Sequence, residues 1–389
     1  MPGYSGRRAS MITMKHYPFL DLKTVNEPYR DAMVEAMTRV VDSGWYVGGP
    51  EVEAFESALA AYCDVPYVVG LTNGLDALRL ALRGYIELGR LGKGDKVMVP
   101  ANTYVATVLA ITDNGLVPVF VDAHDMTLNM DTSRLDEYLQ EGVKAIMPVH
   151  LYGRVCWDEA LRDFVQRHSL LVIEDNAQAI GAVATCDGLF GTRHSGGLGH
   201  AGCFSFYPTK NVGALGDAGA LATHDAELAQ AVRAIRNYGS LRQYDNIYKG
   251  LNCRLDPMKA AQLTVKLPFA DMENGARAKL AGIYDCYITN PLVRKPLYAE
   301  GAADSVWHQY VVRVDDRDAF RAYLLENGVE TAVHYATPPY RQTCYAEYAG
   351  IDMPVSDEIA RTCVSLPISR CTSLDDAMDI AEIVNGYHR

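Results

Sequence analysis

No run of this sequence approaches the roughly 20 consecutive apolar residues that a helix needs to cross a bilayer, so no membrane span is expected. Nor is there an excess of positive charge. The 36 lysines and arginines stand against 48 aspartates and glutamates, a formal net charge of −12. A nucleic-acid backbone seeks a basic stripe, so a nucleic-acid partner is not expected, and a small anionic ligand would need a local gathering of donors. The nine cysteines are scattered from Cys63 to Cys371 without a CxxC pair. An odd count in a long chain is not a disulfide framework; the cysteines read as buried or incidental thiols in a reducing cytoplasm. The nucleotide signatures GK[ST] and GxGxxG are absent too. Residues Met1 to Ser10 are polar, carry Arg7 and Arg8, and lack the apolar centre of a signal peptide. Residues 1–14 are set apart as an N-terminal tail.

What is present is an alternation of short apolar runs with helical patterns. A chain of 389 residues exceeds one ordinary core, which predicts two domains. Tyr67 to Gly70, Lys96 to Pro100, Val117 to Val121, Ala145 to Val149 and Leu170 to Ile173 read as strands, with helices over Leu75 to Leu82 and Tyr104 to Asn114. Continuous apolar strands between helices imply an α/β fold whose mainly parallel sheet is covered on both faces. Cys203 to Phe206 and Ala218 to Ala222 add two strands joined by a glycine-rich loop. From about Met258 the pattern becomes a long helical stretch, then strands over Trp307 to Val314 and Val329 to His334. This predicts a large domain over 15–260 and a small C-terminal α+β domain over 261–389.

Ligands of open α/β sheets bind beyond the carboxyl ends of the strands, so the polar residues there carry the chemistry. Thr72-Asn73-Gly74 stands where a helix begins, and its free N–H groups suit either a phosphate or an ordinary helix cap. Asp175, in Glu174-Asp-Asn-Ala-Gln178, is placed to bind a metal, cap a helix or pair with a cationic ring nitrogen. In the last case the ring stays protonated and acts as an electron sink. Pro208 ends the next strand and leaves Lys210 on a loop. A solvated surface lysine is the ordinary reading, and a desolvated amine attacking a carbonyl ligand is the chemical one.

Phosphate turn, strand-end aspartate, then serine and lysine, in that order, is the layout of fold-type-I pyridoxal-phosphate enzymes. The chain resembles the DegT/DnrJ/EryC1/StrS sugar aminotransferases. The resemblance runs from Pro18-Phe-Leu-Asp-Leu22 through Asp42 to Gly48, Thr72-Asn-Gly74, Pro100 to Tyr104, Pro148 to Gly153, Glu174-Asp175 with Gln178, Phe204 to Lys210 and Gly250 to Arg254. It implies that Lys210 holds the cofactor covalently, Asp175 meets its ring nitrogen, Gln178 its hydroxyl and Tyr104 its ring face. It assigns the phosphate to Asn73, Gly74 and Ser205, completed by Asn252 of the partner subunit in a homodimer with shared sites. Arg254, His308 and His334 are candidate substrate residues.

The resemblance implies transfer of an amino group from glutamate to a nucleotide-linked ketosugar. The run Gly213 to Gly219 is similar to the branch that makes dTDP-linked 3-amino-3,6-dideoxyhexoses. A UDP-linked 4-keto sugar, a keto-inositol and a non-catalytic cofactor-binding regulator are the alternatives. The related dehydratases carry histidine where Lys210 stands. No metal is expected, because His194, His200 and Cys203 fit no standard zinc spacing. His150 suits the cleft or a satisfied structural role, and Trp45 and Tyr46 suit the cleft or the core.

Overall fold

The computed structural model describes residues 15–242, 244–298 and 301–388, so the N-terminal tail expected over 1–14 lies outside the described residues. Strands β1 (Tyr67–Leu71), β2 (Lys96–Pro100), β3 (Val117–Val121), β4 (Val143–Ile146), β5 (Leu171–Asp175), β6 (Ala201–Ser205) and β7 (Gly219–Thr223) form one sheet. Their spatial order is β1-β7-β6-β5-β4-β2-β3. Only β7 runs against its neighbours.

These strands read as unbroken apolar runs because both faces are covered. Val69, Val97, Val99, Ala145, Ile173 and Leu221 pack on one side against the helices Gly74–Glu87 and Ala226–Ile235. Their sequence neighbours Met98, Ile146 and Val172 pack on the other side against Leu161 and Phe164. Val68, Phe204 and Ala220 meet Phe55 and Leu263 there. Successive side chains of a strand point to opposite faces, so two apolar layers demand a run with no polar break.

A two-stranded ribbon, β8 (Ser240–Arg242) and β9 (Asp245–Asn246), stands off the large sheet. The C-terminal part carries the antiparallel pair β10 (Tyr310–Arg313) and β11 (Cys363–Leu366), with helices Arg317–Glu326 and Leu374–Asn385. Its core joins Tyr284, Tyr310, Phe320, Val364 and Ile380, and Tyr17 of the N-terminal segment enters the same cluster. The 260/261 division falls within helix Pro257–Lys266, whose Leu263 packs with the large sheet.

One expected strand is corrected. Val329 to His334 forms isolated bridges instead, Val329 with Tyr17 and Ala332 with Ser365. Its two ends answer to different partners, so no continuous ladder builds.

The two parts are pinned by Asp122 at the end of β3. Its buried carboxylate accepts the Val355 N–H at 3.1 Å, the Ser356 N–H at 2.8 Å and the Ser356 hydroxyl at 2.6 Å. These groups open helix Pro354–Thr362 of the small domain. Removing the acceptor strands buried donors, which costs about 1–3 kcal/mol. Asp122→Ala is therefore expected to lower unfolding stability by roughly that amount in urea titration. An unchanged midpoint would show that the contact is dispensable.

Candidate active site

The carboxyl ends of β5 and β6 bring together most of the residues singled out by sequence. Asp175 ends β5 and is buried. Its carboxylate accepts the Thr107 hydroxyl at 2.8 Å and the Ala177 N–H at 3.2 Å. Burial pushes this carboxyl above its ordinary value, while those hydrogen bonds and the nearby Lys210 charge oppose the shift. Lys210 lies on the loop beyond β6, its backbone N–H bonded to the Tyr207 carbonyl at 2.9 Å. Desolvation lowers its amine to about 8, against the opposing pull of Asp175. An amine in this state is shared between its charged form and its nucleophilic form near neutral pH.

The back of the strand holds a second carboxylate. Glu174 accepts the Gly196 and Gly199 N–H groups, each at 2.8 Å. His150 meets it at 2.9 Å through Nε2, and both side chains are fully buried. Since His150 Nδ1 accepts the Cys156 N–H at 2.9 Å, the ring proton belongs on Nε2, which donates to Glu174. His150 is thus spent on structure.

The turn after β1 forms a cradle. Asn73 caps helix Gly74–Glu87, accepting the Asp76 N–H at 2.8 Å and donating to the Asp76 carboxylate at 3.0 Å. Its side chain is committed, and what it offers an anion is backbone. A methyl group at Gly74 would come within 2.7 Å of the Ser205 Cβ, and one at Gly219 within 2.3 Å of the Asn73 carbonyl. The two turns touch without side chains between them. The helix N-terminus and the Ser205 hydroxyl then face one small space that suits a phosphate.

The small domain supplies the opposite wall. Gln178 accepts the Tyr152 N–H at 2.5 Å and donates to the Tyr335 hydroxyl at 3.1 Å. The exposed Tyr104 ring lies 5.1 Å from that of Tyr335. His308 is buried, and Asn211 fixes its tautomer. Both amide hydrogens of Asn211 are used, on Asn274 at 2.8 Å and on the Val306 carbonyl at 3.1 Å, so its oxygen accepts from His308 Nδ1 at 3.0 Å. Burial and the Lys210 charge hold His308 well below the ordinary histidine range. The same two causes take His334 down to about 4. Gly153, at φ +96°, lets this wall approach, since a side chain there would reach within 2.8 Å of the His308 nitrogen.

Asn252 and Arg254 lie elsewhere. Their segment runs beside the end of β1, where the Cys253 carbonyl accepts the Thr72 N–H at 3.1 Å, and Asn252 is exposed. Arg254 donates to Asn237 at 2.8 Å and lines a cavity of about 240 Å³ with Arg233, Arg236 and Val47. Within one chain neither contacts Lys210 or Asp175 among the described residues. Trp45 and Tyr46 are exposed, so neither belongs to the core. His200 accepts the Val172 N–H at 3.0 Å, and no metal-holding cluster of three acidic, histidine or cysteine residues occurs among the described residues. Thr107, Asn211 and Tyr335 went unread in the sequence. The last two adjoin Lys210 and His334, and that adjacency was the available signal.

A model of the DegT/DnrJ/EryC1/StrS aminotransferase family matches residues 29–385. A dTDP-3-amino-3,6-dideoxy-alpha-D-galactopyranose transaminase of Aneurinibacillus thermoaerophilus is 45% identical, over 95% of this chain and 99% of that one. A dTDP-3-amino-3,4,6-trideoxy-alpha-D-glucose transaminase of Streptomyces venezuelae is 40% identical, over 95% and 96%. The crystal structure of S. venezuelae DesV superposes with a TM-score of 0.89 at 40% identity, covering 95% of this chain and 98% of that one.

The buried histidines generate a pH prediction for the cofactor-free protein. His334 stays neutral in the fold down to about 4, whereas the unfolded chain takes up that proton near 6.5. Between these values the unfolded state binds more protons, so stability falls as pH drops. Urea midpoints from pH 7 to pH 4 should fall less steeply for His334→Asn than for the parent. Parallel curves would mean that His334 titrates normally.

Proposed function

The chain belongs to the DegT/DnrJ/EryC1/StrS aminotransferase family, and we propose that it moves an amino group from glutamate to a dTDP-linked 3-keto-6-deoxyhexose. It is a pyridoxal-phosphate-dependent aminotransferase. The observation that carries the reading is the enclosure of the Lys210 amine with the Asp175 carboxylate beside the Gly74–Ser205 cradle.

The residues present fit the cofactor. Gly74, Ser205 and the Asn73 backbone would hold its phosphate, Asp175 its ring nitrogen, Gln178 its hydroxyl and Tyr104 its ring face. Pyridoxal phosphate supplies an aldehyde that condenses with amines and a ring that takes up electron density while its nitrogen is protonated. Asp175 would keep a proton on a ring nitrogen set against it, with Thr107 fixing the carboxylate orientation. Lys210 would hold the aldehyde through its Nζ, and the freed Nζ would be the group that takes the proton from the donor α-carbon and, in the reverse sense, supplies one to the sugar. The lowered affinity of Lys210 for its proton suits that shuttle. His308 and His334, neutral in the cleft, accept hydrogen bonds from the substrate.

The sugar follows from the relatives named above, two of which carry dTDP-linked 3-amino sugars in their names. Assembly as a homodimer is supported by the exposure of the large apolar side chains Trp45, Tyr46, Val47, Tyr238, Tyr244 and Ile247. Asn252 of the partner subunit would then complete the phosphate site, and Arg254 would meet the ligand phosphates. Nine unpaired cysteines fit a reducing cytoplasm.

Borohydride treatment of the loaded protein should fix the label on Lys210, and Lys210→Ala should lose nearly all turnover. Label on another lysine would displace the assignment. Asp175→Asn should lower kcat/KM by roughly 10³-fold, about 4 kcal/mol of barrier; near-normal turnover would reduce Asp175 to a structural cap. The substrate is tested by offering the pyridoxamine form a panel of nucleotide ketosugars and following return of visible absorption. The dTDP-3-keto sugar should react fastest. Reaction with 4-keto sugars or keto-inositols alone would overturn this choice. Mixing Lys210→Ala and Asn252→Ala chains should restore one intact site per dimer, and failure to recover activity would count against shared sites.

A further inference from the structure

A lysine is seldom buried without an acidic partner. Lys266, the last residue of helix Pro257–Lys266, is 6% exposed, and among the described residues no carboxylate is paired with it. Its Nζ donates to the Gly213 carbonyl at 2.6 Å and to Asn26 Oδ1 at 2.9 Å, and lies 5.8 Å from the centre of the Tyr29 ring. Burial draws its amine down to about 8, while the charge of Glu273 works in the other direction. Taking a charge out of water for uncharged acceptors costs stability, and a well-packed apolar side chain avoids that cost. The use of Lys266 therefore lies in what it holds.

It holds the loop that carries Lys210. This loop leaves β6 at Phe206 and reaches β7 after Ala218. Its base is closed where the Phe206 N–H meets the Ala218 carbonyl at 2.8 Å and the Ala214 N–H meets the Phe206 carbonyl at 2.9 Å. Within it Gly213 lies against Pro208, for a side chain on Gly213 would run into the Pro208 carbonyl. Lys210 sits on the short span between these two points of touching backbone. The return arm is gripped by one face of helix Pro257–Lys266. Gln262, one turn before Lys266 and so on the same face, accepts the Leu215 N–H at 3.0 Å. Buried Val212 and Ala214 join the cluster that includes Leu263. Apolar contacts are non-directional and keep the arm near the helix, while the hydrogen bonds at Gly213 and Leu215 fix where along the helix it stops.

Resting on the assignment of Lys210 as the reacting amine, we propose that Lys266 is a positioning residue, which aims Lys210 by holding the Gly213 carbonyl. It acts through the backbone between Gly213 and Lys210, not by contact with a ligand. A displacement of about 1 Å at a reacting atom is enough to cost roughly 100-fold in rate. The second partner, Asn26, ends helix Leu22–Asn26, so the same ammonium also touches the N-terminal segment. The two contacts can be removed separately.

Lys266→Met removes the donor at similar volume, and Lys266→Gln keeps an N–H donor on a shorter chain. Cofactor-free protein is mixed with pyridoxal phosphate, and the growth of visible absorption reports capture by the lysine. Borohydride reduction and peptide mapping identify which lysine is captured. Loaded protein is then given glutamate in a single turnover. Lys266→Met should slow both capture and the glutamate step by roughly 10- to 100-fold. The glutamate concentration for half-maximal rate should not change, since no binding contact is lost. Lys266→Gln should recover part of the loss. The urea midpoint of Lys266→Met should not fall, because the substitution removes a buried charge that lacks an acidic partner. Asn26→Ala, which frees only the second contact, should keep both rates within about threefold of the parent. Parent-like rates in Lys266→Met overturn the assignment, and so does an equal loss in Asn26→Ala. Failure of both Lys266 variants to fold overturns it too, by making the lysine a structural brace. Label on another lysine in the parent would instead bring down the reading of Lys210 itself.

Discussion

Holding an amine and a carboxylate out of water, each within reach of the other's charge at the carboxyl ends of neighbouring central strands, is the constraint on which the rest of this molecule depends. Desolvation works against both charges: it lowers Lys210 and raises Asp175, and each is restored in part by the other. Such a pair persists only where further hydrogen bonds satisfy it, here from Thr107 and the Ala177 N–H. β5 bears a second buried carboxylate on its opposite face. Glu174 binds the turn at Gly196 and Gly199 and the His150 ring, tying β5 to the loop that leads into β6. The strand's alternation divides the two carboxylates, with Asp175 facing Thr107 and the Lys210 charge and Glu174 committed to architecture.

The second wall explains why a small domain is needed. Gly153 admits the segment from Val306 to Gln309, which bonds back to the Gly153 and Tyr152 carbonyls at 2.9 and 3.2 Å. That contact seats His308 within reach of the Lys210 charge, and enclosure keeps both cleft histidines uncharged. A neutral histidine next to an amine of lowered affinity avoids adding a second positive charge to a site that already carries one. Asp122 secures the same junction from the far side by capping a small-domain helix.

A chain of net charge −12 that handles an anionic ligand must concentrate donors locally. It does so twice. The Gly74–Ser205 cradle uses a helix N-terminus and backbone N–H groups, which add no net charge. The cavity around Arg233, Arg236 and Arg254 gathers guanidinium groups next to the exposed apolar face.

By itself the sequence determined the sheet. Strands covered on both faces must be continuous apolar runs, so their positions could be read within a few residues. Asp175 is the last residue of one of them and Lys210 lies on the loop past another, where short-range rules about strand ends and Pro208 suffice. The segment Val329 to His334 was misread as a strand because its pairing depends on Tyr17 and Ser365, each far away in the chain. Asn73 allowed two readings, cap or phosphate ligand, and only the folded turn showed its side chain bound to Asp76. Thr107 and Tyr335 carry no local signature, for each acquires its role from a partner more than sixty residues distant in sequence, Asp175 and Gln178. Periodicity records which face of an element is dry. Which polar atom meets which, and which is left without a partner, is decided only when distant segments are packed together.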